Sequence, residues 1–376
     1  MTPIYLDGKI KKPSGPRIYA IGLDLGGTHL KYGILSDRGE IVYKNLTPGR
    51  TMEGGKKVLS VMADAAHECM MFAKKEGFEI SAAGAGCPGT IDTEHGVSLG
   101  PTIHITNWEG AEIASAISKK IHLPVFADND ANFMAFGEYI AGAGRQKEYV
   151  VGITLGTGVG GGIVINGDIY HGAMFNGGEL GHVSVETDGR PCSCGNRGCM
   201  ERYVGAKYIV QDVIDALKTG EESIITQGLK SQAEITPPLI FAAAKHGDEL
   251  CSRIIAQMIK YLGAGLTSIV NVLNPDIIVI GGGMSDAGQG FIKRISDEVL
   301  SRVMKLPMLP SLALWPLAMI SSAPSVPLIP AEANVCAYTT TAFGLSRMAL
   351  ISMSPAVASP PPVFASSRIP SILWLA

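Results

Sequence analysis

One histidine and three cysteines lie close together in a glycine-rich stretch over residues 177–202. They are His182, Cys192, Cys194 and Cys199. One imidazole and three thiolates match a closed structural Zn²⁺ site with no open catalytic position. The spacing C-x-C-x₄-C differs from the common C-x₂-C. Buried free thiols, or a zinc ribbon on nucleic acid with a basic surround, are the alternative interpretations.

Glycine-rich turns follow apolar strands at three places. They are DLGGT from Asp24, LGTGVGGG from Leu155 and GGGM from Gly281. Backbone N–H groups approach an anion closely only where side chains are absent, so the three turns together predict a bound nucleotide. A strand, and not a helix, follows LGTGVGGG, which disfavours a dinucleotide site. Asp24 is placed either to hold a water of a phosphate-bound Mg²⁺ or to cap its turn.

A polar cluster, DNDAN at residues 128–132, closes one strand and opens a helix. Buried strand ends in α/β folds point into ligand crevices. A carboxylate there can accept a hydroxyl proton as that hydroxyl attacks a phosphoryl group. Helix capping is the alternative role.

Composition limits the class of protein that carries these residues. A length of 376 residues predicts two domains. The 31 basic and 34 acidic residues give a net charge of −3, which offers no electrostatic footprint for nucleic acid or an anionic membrane. The first residues lack the apolar core of a signal peptide. We expect a cytoplasmic, soluble protein.

The elements that must position the site repeat along the chain. Strand, glycine turn and strand recur around Gly26 and around Gly158. This predicts corresponding hairpins of two related α/β domains; unrelated hairpins are the alternative. Helices are expected over 56–75 and 108–121. The expected division is a flexible arm at 1–16, an N-terminal α/β domain at 17–127, a C-terminal α/β domain with the zinc loop at 128–305, and an anomalous tail at 306–376.

Several motifs, in order along residues 18–300, resemble the ROK family (repressor, open reading frame, kinase) of sugar kinases in the actin/hexokinase/Hsp70 fold group. They are DLGGT, GCPGTID, NDAN followed by GE, LGTGVGGG, GGELGH, CSCGNRGCME and IGGG. The resemblance implies an α/β fold of two related ribonuclease-H-like (actin-like ATPase) domains with an interdomain cleft. It also implies ATP, Mg²⁺ and structural Zn²⁺ as cofactors, a hexose substrate and a homodimer.

The resemblance also assigns roles to individual residues. The catalytic base falls on Asp130, with Asp128 as the fallback. The sugar contacts fall on Gly89, Asn129, Asp130, Glu179, His182 and Glu201, and the zinc ligands on His182, Cys192, Cys194 and Cys199. The nucleotide contacts fall on Gly26, Gly27, Thr28, Gly156, Thr157, Gly158, Gly281, Gly282 and Gly283. Asp24 joins this predicted nucleotide site from its place at the strand end. His182 would have one ring nitrogen on zinc and the other toward a sugar hydroxyl.

The function implied is phosphorylation of a hexose at its 6-hydroxyl, with glucose the leading substrate. A sugar-sensing repressor of the same family is the second hypothesis. It is disfavoured because only 23 residues precede Asp24, too few for a three-helix DNA-binding module. A sugar-binding protein with impaired turnover is the third.

The chain departs from the family in two places. Thr102 stands where relatives often carry an asparagine upstream of the residue that matches Trp108. The G-A-A-rich helix that closes the family's sequences is missing. Residues 306–331 carry no charged side chain, and half of the 22 prolines lie after residue 305. If the codons from Trp315 onward are read starting at the third base of the tryptophan codon, the genetic code allows the peptide A-L-G-N-D and, a few codons later, I-G-A-A. These peptides resemble the missing ending of the family. The tail is therefore expected to come from a shifted reading frame; a genuine Pro/Ser-rich extension is the alternative.

Overall fold

The computed structural model describes residues 18–37, 39–102, 105–227, 229–304 and 318–321. The predicted flexible arm and all of the tail but residues 318–321 lie outside these ranges. The chain divides into two compact units, one reaching Ala141 and the other starting at Gly142. In the described ranges, no helix is both long and apolar enough to cross a membrane.

The first unit is built on a five-stranded sheet with the order β3-β2-β1-β4-β7. Strands β1 and β2 are antiparallel, whereas β4 is parallel to both β1 and β7. Its elements are β1 Tyr19–Leu25, β2 His29–Ser36, β3 Ile41–Pro48, α1 Gly55–Glu76, β4 Ile80–Cys87, β5 Ile91–Asp92, β6 Val97–Ser98, α2 Ile113–Ile121, β7 Val125–Asn129 and α3 Asp130–Ala141.

Apolar residues recur at helical spacing on α1, which confirms the predicted helix there. Val58, Met62 and Cys69 lie on its buried face and pack with α2 against the sheet. The second predicted helix is shorter than expected, because the chain turns through Trp108 and α2 begins only at Ile113.

The second unit repeats this plan. Its five-stranded sheet has the order β10-β9-β8-β11-β12, with β8 antiparallel to β9 and β11 parallel to both β8 and β12. The long helix α7 packs against α4, α5, α6 and α8. The elements are β8 Tyr149–Leu155, β9 Val159–Ile165, β10 Asp168–Ile169, α4 Glu201–Val204, α5 Ala206–Lys218, α6 Pro237–Lys245, α7 Glu249–Leu273, β11 Ile277–Gly281, α8 Gln289–Arg302 and β12 Ala318–Ser321.

The two sheets share strand order and strand directions, so the two glycine hairpins are corresponding hairpins of related domains, as predicted. The division between the units falls after Ala141, whereas the sequence placed it before Asp128. The reason is packing: α3 lies on β4 and β7 of the first sheet. The mixed α/β architecture agrees with the predicted fold class.

Candidate functional site

The predicted zinc ligands come together in the second unit. One potential ligand atom from each of four residues lies within 4.8 Å of the others. Cys192 Sγ is 3.6 Å from His182 Nδ1, and Cys194 Sγ is 3.6 Å from Cys199 Sγ. Short backbone bridges hold this loop together, such as Ser184 with Cys199.

The four side chains fit a Zn²⁺ ion. In a tetrahedral site with Zn–S bonds of about 2.3 Å, sulfur atoms are separated by about 3.8 Å, close to the separation here. Burial, together with the neighbouring thiols of Cys194 and Cys192, raises the pKa of Cys199 to about 12. Because zinc binds the thiolate, binding at Cys199 would release a proton.

Two carboxylates accompany the zinc loop. Glu179 Oε2 is 4.0 Å from His182 Nε2, the ring nitrogen that does not face Cys192. Desolvation raises the pKa of Glu179, and the Glu201 carboxylate raises it further, while His182 acts in the opposite direction. Glu179, His182 and Glu201, three of the predicted sugar contacts, therefore belong to one constellation in this unit.

In the first unit, polar residues meet at the carboxyl ends of parallel strands β1, β4 and β7. Asp24 on β1 pairs in register with Gly86 on β4, which pairs in turn with Asp128 on β7. Asn129 donates through Nδ2 to the carbonyl of Gly89, at 3.1 Å. The edge thus gathers the predicted base and the remaining predicted sugar contacts.

The two aspartates of DNDAN have different environments. Asp128 is 1% exposed, and its Oδ1 accepts from the Asn129 N–H at 2.6 Å and from Asn132 Nδ2 at 3.0 Å. Asp130 is exposed at the first position of α3. Asp128 is thus occupied in fixing the strand–helix junction, whereas Asp130 is exposed and its Oδ1 accepts from the Ala131 N–H at 2.9 Å.

Both glycine hairpins present unpaired backbone donors at their tips. In the first, the Gly26 N–H bonds to the His29 carbonyl; in the second, the Gly156 N–H bonds to the Gly158 carbonyl. Among the described residues, the N–H groups at the two tips have no hydrogen-bond partner; they belong to Gly27 and Thr28, and to Thr157 and Gly158. Successive unpaired amides of this kind suit a phosphate.

The third glycine cluster lies beside the second hairpin. Gly281 pairs with Thr154 on β8. Gly282 has φ 88°, and a Cβ there would lie 2.5 Å from the carbonyl oxygen of Leu155. Glycine is therefore required at this position by both conformation and space.

The structure shows two contacts in this unit that the sequence did not predict. Lys31 Nζ lies 3.2 Å from Asp24 Oδ2; the two are directly opposite in the β1–β2 register, so counting across the hairpin turn would have found the pair. The buried Trp108 donates from Nε1 to the Pro88 carbonyl at 3.1 Å, which fixes the loop that carries Gly89. Thr102 forms an isolated bridge with Ile105.

Comparison with known proteins agrees with the motif order. The ROK family model matches residues 20–317. A glucokinase of Halalkalibacterium halodurans is 35% identical over 74% of this chain and 84% of its own. A xylose repressor of Caldicellulosiruptor bescii is 29% identical over 75% of this chain and 70% of its own.

A solved structure agrees as well. It is a ROK family glucokinase from Streptomyces griseus in complex with glucose and AMPPNP, with a TM-score of 0.69 and 27% identity over 81% of this chain and 94% of that one. The two related sheets described above are thus the actin-like fold of that family. On sequence, motif order and fold together, this chain belongs to the ROK family.

Proposed function

We propose that this protein is an ATP-dependent hexose kinase that phosphorylates the 6-hydroxyl, with glucose as the leading substrate. The observation that carries the proposal is the exposed Asp130 carboxylate at the junction of β7 and α3, next to the Asn129–Gly89 hydrogen bond. Similarity to glucokinases, one of them solved with glucose and AMPPNP, supports the choice of substrate.

Asp130 is the proposed general base. Its carboxylate takes the proton of the sugar 6-hydroxyl as that oxygen attacks the γ-phosphorus. The bond from the γ-phosphorus to the bridging oxygen breaks, and ADP leaves. Asn129 and Gly89 on the same unit are proposed to hold the sugar so that the hydroxyl lies within reach of the carboxylate.

The glycine turns are the proposed phosphate sites. The free N–H groups of Gly27, Thr28, Thr157 and Gly158 would donate to phosphate oxygens. Mg²⁺, when bound with the nucleotide, neutralises phosphate charge. Asp24 is proposed to hold a water of that ion, and its ion pair with Lys31 would fix the carboxylate in position.

The zinc site has a positioning role in this proposal. Zn²⁺ supplies no reacting group; its ligation at His182 Nδ1 would fix the ring so that Nε2 is presented to a sugar hydroxyl. Glu179 and Glu201 would accept hydrogen bonds from two further hydroxyls.

A sugar-responsive regulator is the second candidate, because a xylose repressor is 29% identical over 75% of this chain. A kinase and a regulator share sugar recognition but differ in turnover. A sugar-binding protein with impaired turnover differs from the kinase in the same way.

The deciding experiment is a coupled ADP-release assay with a panel of hexoses and xylose, run with and without a chelator. We expect ADP release that depends on the hexose, is greatest with glucose, and is lost in Asp130→Asn. Sugar binding by calorimetry without ADP release from any sugar would reject the kinase in favour of the other two candidates.

A further inference from the structure

The carboxylate of Glu201 reaches out of the zinc loop to the second glycine hairpin. Its Oε2 accepts from the backbone N–H of Val159, at 3.1 Å. Val159 is only 5% exposed. A buried N–H without a partner costs stability, and a charged acceptor forms a stronger hydrogen bond than a neutral one. This bond is thus a substantial constraint on the hairpin.

The space for this contact exists because residue 158 is glycine. A Cβ at Gly158 would lie 2.2 Å from Glu201 Oε2 and 3.0 Å from its Cδ. A Cβ at Gly156, in the same turn, would meet nothing within 4 Å. Glycine at position 158 therefore leaves space for the Glu201 carboxylate, whereas a side chain at position 156 would not displace it.

The residues just after Glu201 hold the other side of the turn. The Ala206 N–H donates to the Gly156 carbonyl at 2.9 Å, and the Lys207 N–H to the Thr157 carbonyl at 3.4 Å. The N–H groups of Thr157 and Gly158 are the donors left for a ligand. Their direction is set by the bonds that fix the rest of the turn.

We propose that Glu201 is a positioning residue for the nucleotide turn as well as a sugar contact, so that one carboxylate couples the two ligands. The sugar role rests on the proposed function; the link to Val159 rests on the hydrogen bond alone. Oε2 holds the turn, and Oε1 is the oxygen available to a sugar hydroxyl. Because coupling between sites is reciprocal, a change on the turn side must alter sugar binding.

The first test alters the turn and measures sugar. Gly158→Ala and Gly156→Ala are titrated with glucose in the absence of nucleotide. Displacement of the Glu201 carboxylate in Gly158→Ala should weaken glucose binding by about tenfold, the loss of a hydrogen bond to a charged group. Gly156→Ala should bind glucose within about twofold of the parent. Equal glucose affinity of the two variants would overturn the coupling.

The second test alters the carboxylate and measures the turn. Glu201→Ala should bind Mg²⁺–AMPPNP about tenfold more weakly than the parent without sugar, whereas Glu201→Gln, which keeps an acceptor oxygen, should retain most of the affinity. A merely structural side chain would not give rescue by glutamine. Unchanged nucleotide affinity in Glu201→Ala would reject the positioning role.

A third measurement needs no ligand and separates this inference from the proposed function. Hydrogen exchange by mass spectrometry follows the peptide that contains Val159. Faster exchange in Glu201→Ala, restored in Glu201→Gln, is expected even if no hexose is phosphorylated. Exchange equal to that of the parent in both variants would refute the link between Glu201 and the turn.

Discussion

Among single residues, burial distinguishes two aspartates, Asp128 and Asp130, that are separated by one residue in the chain. Asp128 is buried, and its carboxylate accepts hydrogen bonds from Asn129 and Asn132 at the junction of β7 and α3. Asp130 is exposed and begins α3. A general base must reach the proton that it accepts, so exposure favours Asp130 over the fallback Asp128.

The prediction at this scale concerns the proposed base. Asp130→Asn keeps size and polarity but removes the proton acceptor, so kcat should fall by at least ~10² while glucose still binds. Steady-state ADP release and glucose calorimetry measure the two effects. Nearly unchanged turnover would mean that Asp130 only caps α3, and the mechanism above would be wrong.

Among the structural elements, the zinc loop and the start of α7 are each held by a few side chains. These side chains contact residues that lie far away in the chain. The zinc loop has little regular structure, and it is held by short backbone bridges and by the clustering of its four candidate ligands. Asp248, 5% exposed, caps α7 through the Cys251 N–H and also accepts from Ser223 Oγ and the Ile224 N–H, each at 2.7 Å.

Loss of one zinc ligand should release both metal and sugar. We expect one tightly bound zinc per chain in the parent protein. Cys194→Ser should lose it and weaken glucose binding, because His182 would no longer be oriented. Metal analysis and glucose calorimetry test the two effects, with Cys251→Ser, outside the loop, as the control that retains zinc. Full zinc in Cys194→Ser, or none in the parent, would exclude this site.

The cap on α7 should make stability depend on acid pH. Burial acts to raise the pKa of Asp248, but hydrogen bonds from Cys251, Ser223 and Ile224 outweigh it and hold the pKa below its ordinary value. A lowered carboxyl pKa contributes stability above the unfolded value of about 3.9, and this contribution is lost as pH falls through the folded value.

Asp248→Ala should therefore lower the free energy of unfolding by about 3 kcal/mol at pH 7, since the cap of α7 is lost and the N–H of the buried Cys251 is left unpaired. The difference from the parent should shrink below about pH 4. Urea unfolding at several pH values measures it. Asp297→Asn, which removes an exposed ion pair with Lys293, is the control and should change stability by less than about 0.5 kcal/mol. A deficit that persists unchanged at pH 3 would contradict the assignment.

At the scale of the whole molecule, one plan is used twice. Each sheet has an antiparallel glycine hairpin at one side and parallel strands at the other. In the first sheet the strand after β4 is β7, and in the second the strand beside β11 is β12, at residues 318–321. The chain between Met304 and β12, and after it, lies outside the described residues.

We propose that the tail, which the sequence places from about residue 306 onward, comes from a shifted reading frame, although the family model matches as far as residue 317. The loss of charge and the excess of proline begin abruptly there, and the family's closing motif is absent. Resequencing the gene over the codons for Val303 to Leu314 should reveal an insertion or deletion, and the corrected chain should show higher kinase activity. An intact frame, with the same tail in close relatives, would disprove this.

Features that depend on residue type and local spacing could be predicted from the amino-acid sequence alone. The zinc ligand set follows from one histidine and three thiols close together in the chain, and the hairpins follow from glycines between apolar strands. Helix α1 follows from its apolar period. These features are local, because their donors or buried faces lie within a short stretch of chain. The order of the motifs carried the family and hence the fold class.

Which groups are buried, and which groups far apart in the chain contact each other, became visible in the folded structure. The family resemblance put the base on Asp130 with Asp128 as the fallback, and only packing at the β7–α3 junction shows that Asp128 is buried and Asp130 exposed. The Glu201–Val159 and Asp248–Ile224 bonds join residues far apart in the chain, and the domain division moved because α3 packs on the first sheet. The apolar period of a helix or strand indicates which of its own faces is buried. Burial of single side chains and contacts between distant residues depend on how the helices pack against the sheet, and that arrangement results from the packing of all the elements together.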